Sequence, residues 1–132
     1  DVAGRAMEAV LEWAASQQDR FVGRGSLAYP PSQGWLGAWA KSIQWTELAI
    51  ISRDVKRFLK REGFNATAAI KEWDERGWID SEDSWDKHRE KTLHRTAIPR
   101  KVDQARPRCI VILRKAHEDV IGGGDKGQLT CV

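Results

Sequence analysis

The chain has 132 residues, of which 22 are Lys or Arg and 19 are Asp or Glu, so its formal net charge is +3 at pH 7. This length supports one compact domain with one core and argues against a second independent domain. No apolar run approaches the roughly 18 residues of a membrane span, and the N-terminal residues do not resemble a signal peptide. We therefore expect no membrane partner and a cytoplasmic location.

The chain begins with an amphipathic helical pattern. Ala6, Val10 and Ala14 recur at helical spacing within a segment that runs from Ala3 to about Arg20. We interpret residues 1–20 as a docking helix. Because the chain opens with Asp1 rather than Met and enters this pattern almost at once, we expect it to be a piece of a larger protein.

The next segment predicts an irregular arm followed by an aromatic β-hairpin, together spanning residues 23–50. Gly23–Gly37 is rich in Gly, Ser and Pro, and its adjacent Pro30 and Pro31 exclude helix. Short apolar runs follow, and they favour a hairpin packed beside the helices that come next. These runs contain Trp35, Trp39, Trp45, Leu48, Ile50 and Ile51.

Residues 51–79 have the pattern of two short helices joined by a tight turn. Gly63 is expected to end the first helix, Asn65 to cap the second, and Gly77 to end the second. Apolar residues recur on one side of each helix, which predicts a helix-turn-helix. The opposite side of the first helix is basic, with Arg53, Lys56, Arg57 and Lys60.

The remaining pattern predicts a wing. We expect a strand from Trp78, then a loop or helical excursion over the acidic Asp80–Asp86. Thr92–Ile98 and Arg108–Leu113 have strand composition, and the prolines of Pro99–Pro107 bracket a polar turn. The prediction is a basic wing hairpin over residues 90–115 and a flexible tail over 121–132. The expected fold is therefore α+β, a winged helix-turn-helix with an extra N-terminal helix and an aromatic β-hairpin.

Basic charge is concentrated in the predicted wing. Between Asp86 and Lys115 the sequence has ten Lys and Arg residues but only three Asp and Glu residues. Such a local excess of basic charge is typical of an element that contacts phosphates. The alternative is a solvated surface that protects sheet edges. The second helix carries more acid than base and should repel phosphates, so we expect little base-specific reading. The candidate nucleic-acid-binding residues are Arg53, Lys56, Arg57, Lys60, Arg95, Arg100, Lys101, Arg106 and Arg108.

Seven tryptophans invite a base-stacking hypothesis. Trp13, Trp73 and Trp78 fall where core residues are expected. Trp85 lies among acidic residues, which argues against a phosphate partner there.

The sequence offers no catalytic or metal-binding constellation and implies no cofactor. Gly122–Gly127 lacks the preceding strand and the Lys-Ser/Thr ending of a phosphate loop. The three histidines and Cys109 do not have zinc-motif spacing. We interpret Cys109 and Cys131 as free thiols.

The run Trp45–Asp80, preceded by Glu8–Phe21, resembles the C-terminal region of an uncharacterised domain family. Its members are bacterial, phage and mobile-element proteins described as helicases or as inner-membrane proteins associated with primase and DNA-replication modules. The shared signals here are Arg20-Phe21, Gly63-Phe64 and Gly77-Trp78.

This resemblance implies a winged-helix domain that follows an ATPase core in a replicative helicase or primase-helicase. Two hypotheses follow. The first is a non-catalytic, largely sequence-independent DNA-binding accessory domain that contacts the backbone of single-stranded or duplex DNA. The second is a protein-interaction module that packs on its own upstream ATPase domain or a partner subunit through exposed tryptophans and the arm Leu27–Trp39.

Overall fold

The computed structural model describes residues 1–23, 31–40 and 45–122. Within these residues the α+β architecture and the helix-turn-helix are confirmed. The helices are α1 (Val2–Ser16), α2 (Ser52–Arg61), α3 (Ala66–Glu75) and α4 (Arg114–His117). The strands are β1 (Phe21–Val22), β2 (Gly37–Ala40), β3 (Glu47–Ile51), β4 (Ile79–Asp80), β5 (Glu82–Asp86), β6 (Lys91–Arg95), β7 (Ile98–Pro99) and β8 (Arg108–Leu113).

One sheet forms the centre of the fold, with the strand order β1-β2-β3-β8-β4 and β7 paired to the start of β8. β1 runs parallel to β2, and the other pairs are antiparallel. Because side chains alternate along a strand, each face carries its own core. Leu48 and Ile110 belong to the larger core against the helices. Ala49, Cys109 and Val111 belong to a smaller core on what we call the second face.

The two helices of the helix-turn-helix end in the same way. Gly63 and Gly77 adopt positive φ values of 87° and 72° after α2 and α3. In each case the next residue is a large aromatic whose backbone N–H bonds back into the last turn, Phe64 to the Leu59 carbonyl at 2.8 Å and Trp78 to the Trp73 carbonyl at 2.9 Å. This is the Schellman arrangement, in which glycine permits the left-handed turn.

Asn65 caps α3, as its sequence position predicts. Its side-chain oxygen accepts a hydrogen bond from the Ala68 backbone N–H at 3.0 Å. The cap satisfies one of the N–H groups that the first turn of a helix leaves unpaired. The start and the end of α3 are therefore set by short-range chemistry.

α1 packs on both helices of the helix-turn-helix. Trp73 of α3 is fully buried, and its Nε1 donates to the Ala3 carbonyl at 2.9 Å. Trp13 of α1 stacks on Phe58 of α2, with ring centroids 4.5 Å apart. These contacts confirm the extra N-terminal helix and explain why the chain uses tryptophan here: one side chain fills the core and also satisfies a backbone group.

The aromatic hairpin is confirmed as β2 paired with β3. Gly37 is required at the start of β2, because a Cβ there would lie 1.9 Å from the Ala49 carbonyl oxygen. The turn of this hairpin, residues 41–44, lies outside the described residues. So do residues 24–30 of the predicted arm and residues 123–132 of the predicted tail.

The predicted strand pairing of the wing is wrong. Lys91–Arg95 does not pair with β8 but with Glu82–Asp86, the acidic segment expected to be a loop or a helical excursion. The resulting β5-β6 hairpin is a separate two-stranded sheet, and we call it the wing. The register gives an electrostatic reason: Glu82 lies opposite Arg95, and Asp86 lies opposite Lys91.

The segment expected to be the tip of the basic hairpin instead folds back on the central sheet. From the predicted partner strand Thr92–Ile98 only Ile98 pairs with β8, and Pro99, the first residue of the predicted turn, pairs with it as well. Val102, within the following loop of residues 100–107, is 4% exposed and packs in the second-face core. The loop therefore covers the sheet face opposite to the helices.

Candidate nucleic-acid interface

The outer side of α2 is basic and open to solvent, as the sequence predicts. Arg53, Lys56, Arg57 and Lys60 are all exposed. The α2 helix buries Val55, Phe58 and Leu59 on its other side, so the apolar and basic stripes are fully separated. Among the described residues, the one ion pair on this stripe is a 3.7 Å contact between Arg57 and the half-buried Asp54.

The acidic residues of α3 are less available than the sequence indicates. Glu72 accepts a hydrogen bond from the Arg76 guanidinium at 3.0 Å, and Asp74 lies 2.6 Å from Nε2 of His94. Both carboxylates are thus neutralised by a neighbouring cation. Glu75 is exposed, and Lys71 lies one turn before it. The expected repulsion of phosphates by α3 is correspondingly reduced.

His94 joins the wing to α3. Its Nδ1 lies 2.7 Å from Asp83 of β5 and its Nε2 lies 2.6 Å from Asp74 of α3. A neutral imidazole has one N–H, so it donates to both carboxylates only when it is protonated. The hydrogen bonds with Asp83 and then Asp74 raise the pKa of His94 above 6.5. The His94 side chain thus links the wing to the second helix, and both contacts favour its protonated form.

The tip of the wing is a basic turn built on one acidic side chain. Asp86 Oδ1 accepts backbone hydrogen bonds from His88 at 2.9 Å and Arg89 at 3.3 Å. Asp86 thereby orders the turn and lies 3.7 Å from the Arg89 guanidinium. Lys87, Arg89 and Lys91 are exposed. These three residues are missing from the sequence-based candidate set, because the pairing of β5 with β6 that places them at a tip was not predicted.

α2, α3 and the wing meet in one open groove of about 330 Å³. Lys56 lines it from α2, while Thr67 and Lys71 line it from α3. His94 closes the groove from the wing. The groove is therefore bounded by two lysines, by the acidic Asp74 and Glu75 of α3 and by His94, on the surface that the wing and the second helix share.

The family of the chain follows from a comparison with protein-family models. The model described as the Cch helix turn helix domain matches residues 1–115. The chain belongs to that family. No curated protein sequence matches it. A helix-turn-helix family points to nucleic-acid binding as the general class of function.

In this Cch helix turn helix domain, Arg100 makes three hydrogen bonds to other residues of the domain. Its Nε donates to Glu47 Oε2 at 2.8 Å and its Nη2 donates to Asp80 Oδ2 at 2.8 Å. Its Nη1 donates to the Pro99 carbonyl at 3.1 Å. Glu47 is on β3 and Asp80 is on β4, so Arg100 spans the central β8 on the second face. The predicted phosphate contact of Arg100 stays a prediction, and three of the five N–H donors of its guanidinium are engaged within the domain.

The other basic candidates from the predicted wing are divided between two places. Arg95 is half-buried at the base of the true wing, and its Nε donates to the Ser84 hydroxyl at 3.2 Å. Lys101 and Arg106 are exposed on the loop that covers the second face. Arg108 is exposed at the start of β8, with its Nη1 3.4 Å from the Ala97 carbonyl. The loop cations are thus separated from the α2 stripe by the sheet.

The described residues of this family member contain no group of three or more His, Cys, Asp or Glu side chains arranged to hold a metal ion. Cys109 is a free, buried thiol, and burial raises its pKa to about 11. At neutral pH it is protonated and therefore a poor nucleophile. None of the described helices is both long and apolar enough to cross a membrane.

Proposed function

We propose that the chain is a non-catalytic DNA-binding domain that contacts backbone phosphates with its α2 stripe, its groove and its wing tip, largely independently of base sequence. One observation carries this proposal: His94 ties the wing, with the exposed cations of its tip, to α3 beside a groove that contains Lys56 and Lys71. Cations from three separate elements then face one ligand surface.

The proposed contacts divide into three sets. Lys56 and Lys71 bind phosphates that lie along the groove, while the wing tip binds phosphates on the adjoining turn of the nucleic acid. The outer α2 residues extend the positive surface. The full set is Arg53, Lys56, Arg57, Lys60, Lys71, Lys87, Arg89 and Lys91.

Sequence-independent binding follows from the nature of these side chains. Lysine ammonium groups are point charges that bind phosphates without selecting a base edge. The side of α3 that faces the groove carries Thr67, Lys71 and Glu75. None of these is an Asn, Gln or Arg, the side chains that form bidentate hydrogen bonds with base edges. Backbone contact therefore dominates the proposed interaction.

We further propose that this domain serves a replicative helicase or primase-helicase, in which an upstream ATPase domain supplies the catalysis. Support for this context comes from the resemblance of Trp45–Asp80 and its flanking signals to proteins of replication modules. In this proposal the domain itself anchors the enzyme on DNA and performs no chemistry.

The proposal is tested by fluorescence anisotropy with labelled duplex and single-stranded DNA at low and moderate salt. About eight phosphate contacts to duplex DNA, one for each cation of the proposed set, give a log–log salt slope of about −7. Binding that weakens steeply with salt and varies little with base sequence supports the proposal. Absence of binding to both DNAs at low salt overturns it.

The protein-interaction alternative receives less support. It expects a contiguous apolar patch built from exposed tryptophans, and it uses an arm of which residues 24–30 lie outside the described residues. In the described part of that arm, Trp35 and Trp39 are half-buried in contact with the two cores. The large hydrophobic residues that are exposed, among those described, are Val2 on α1 and Trp85 on the wing.

A further inference from the structure

Trp85 has an environment unlike that of the other described tryptophans. It is 62% exposed, whereas Trp73, Trp78 and Trp45 are at most 5% exposed. Leaving an indole in water forgoes the burial that makes tryptophan favourable in a fold. The exposed ring is therefore open to a ligand outside the domain.

The strand register places Trp85 on the side of the wing that also carries His94. Trp85 lies opposite Thr92, and Asp83 lies opposite His94, two residues along the same strands. Side chains two residues apart in a strand share a face. His94 contacts α3 from this face, so Trp85 projects from the same face closer to the basic tip.

Two of the acidic residues around Trp85 have partners within the wing. Asp83 lies 2.7 Å from Nδ1 of His94, and Asp86 accepts hydrogen bonds from two backbone N–H groups of the turn. The cations next to Trp85 along the hairpin are Lys87, Arg89 and Lys91, all exposed. The sequence-based objection to a phosphate partner at Trp85 is therefore reduced by the pairing within the wing, and at the tip these three exposed cations outnumber one exposed acid, Glu90.

An exposed aromatic ring flanked by cations matches the chemistry of an unpaired nucleotide, whose base stacks while its phosphate meets the cations. A paired base in duplex DNA has both faces covered by its neighbours. We propose that Trp85 is a stacking site for an unpaired base of a single-stranded segment, with Lys87 and Arg89 holding the adjacent phosphates. This inference rests on the proposed DNA-binding function, and it specifies that the wing binds single-stranded rather than fully paired DNA.

The test compares three labelled probes: oligothymidine, a blunt duplex, and the same duplex with an oligothymidine overhang. Trp85→Ala is expected to weaken binding of oligothymidine and of the overhang duplex about tenfold. This is the loss of affinity expected when one base loses its aromatic stacking partner. Blunt-duplex binding should stay within about twofold, because no unpaired base is offered. Trp85→Phe should restore most of the loss. Val2→Ala is the matched control, since Val2 is the other exposed large hydrophobic residue.

A second readout is the intrinsic fluorescence of the protein. Oligothymidine should quench a component of the emission that is absent from Trp85→Phe, since stacked bases quench indole. Equal loss of affinity for all three probes in Trp85→Ala, or no loss for oligothymidine, would overturn the stacking site. Lys87→Ala/Arg89→Ala separates the two proposals: if it weakens binding of every probe while Trp85→Ala has no effect, DNA binding stands and the stacking site fails.

Discussion

His94 of the wing and Asp74 of α3 lie 2.6 Å apart, from Nε2 to Oδ2, and this contact ties the wing to the second helix of the helix-turn-helix. The contact joins parts of the fold that are not hydrogen-bonded to each other as strands, because the β5-β6 hairpin is a separate sheet from the central one. The position of the basic tip relative to α3 therefore depends on side-chain chemistry at this contact.

The first prediction concerns the protonation of His94. Its pKa is raised above 6.5 by hydrogen bonds to Asp83 and Asp74, whereas burial, followed by the nearby Arg114 charge, lowers the pKa of His117. A titration of the histidine side chains by NMR should place the two values on opposite sides of 6.5. Asp74→Asn should lower the His94 pKa and leave that of His117 unchanged. A His94 pKa below 6.5 in the unmodified protein would contradict the imidazolium bridge.

The second prediction follows from the sign of that shift. Because the folded-state pKa of His94 is raised, its contribution to the free energy of unfolding is complete below pH 6.5 and is lost as the pH rises through the folded-state pKa. Chemical denaturation at pH 6 and pH 8.5 should show that His94→Gln reduces the pH dependence of stability. His88→Gln is the control, because His88 is exposed at the tip. An unchanged pH dependence in His94→Gln would show that the bridge adds no stability.

The third prediction assigns Arg100 a structural role. Arg100→Ala leaves Glu47 and Asp80 without their shared cation, and should lower the free energy of unfolding by about 1 to 2 kcal/mol. DNA affinity should be little changed, since Arg100 is engaged on the second face. Lys101→Ala, next to it and exposed, should change stability by less than about 0.5 kcal/mol. Urea denaturation and anisotropy measure the two quantities; full stability with lost affinity would reverse the assignment.

The fourth prediction separates a steric clash from backbone strain at two glycines. Gly37→Ala places a Cβ 1.9 Å from a backbone oxygen of β3 and should lower the free energy of unfolding by about 3 kcal/mol. Gly63→Ala meets no atom within 4 Å but must keep φ near 87°, which should cost about 1 kcal/mol. Denaturant unfolding of both variants gives the comparison, and equal losses would contradict the close approach of β2 to β3.

The sequence predicted the helical part of the fold well, because its signals are local. Gly63, Asn65 and Gly77 act on backbone groups within one turn, so their roles can be read without knowing the tertiary structure. The spacing of Ala69, Ile70 and Trp73 likewise indicates which side of α3 is buried. The basic stripe of α2 was found for the same reason.

The wing was mispredicted because strand pairing is non-local. Lys91–Arg95 has two acceptable partners by composition, and the choice of β5 depends on cross-strand charge pairs and on the His94 contact with α3. The acidic character of β5 argued for a loop, yet acids opposite bases make a stable hairpin. With the pairing that the structure shows, the tip of the wing carries Lys87, Arg89 and Lys91. Lys101 and Arg106, which the sequence placed at the tip, lie instead on the second face of the central sheet.

The most direct test of the proposed function compares two pairs of cations that are identical in residue type and charge. Lys87→Ala/Arg89→Ala removes one Lys and one Arg from the wing tip, and Lys101→Ala/Arg106→Ala removes one Lys and one Arg from the loop on the second face, all four being exposed.

Both variants are measured by anisotropy with duplex DNA across a series of salt concentrations. The wing-tip pair should weaken binding about tenfold or more and make the log–log salt slope shallower by about 2. The loop pair should leave affinity and slope close to those of the unmodified domain. Equal effects of the two pairs, or a larger effect of the loop pair, would contradict binding through the wing.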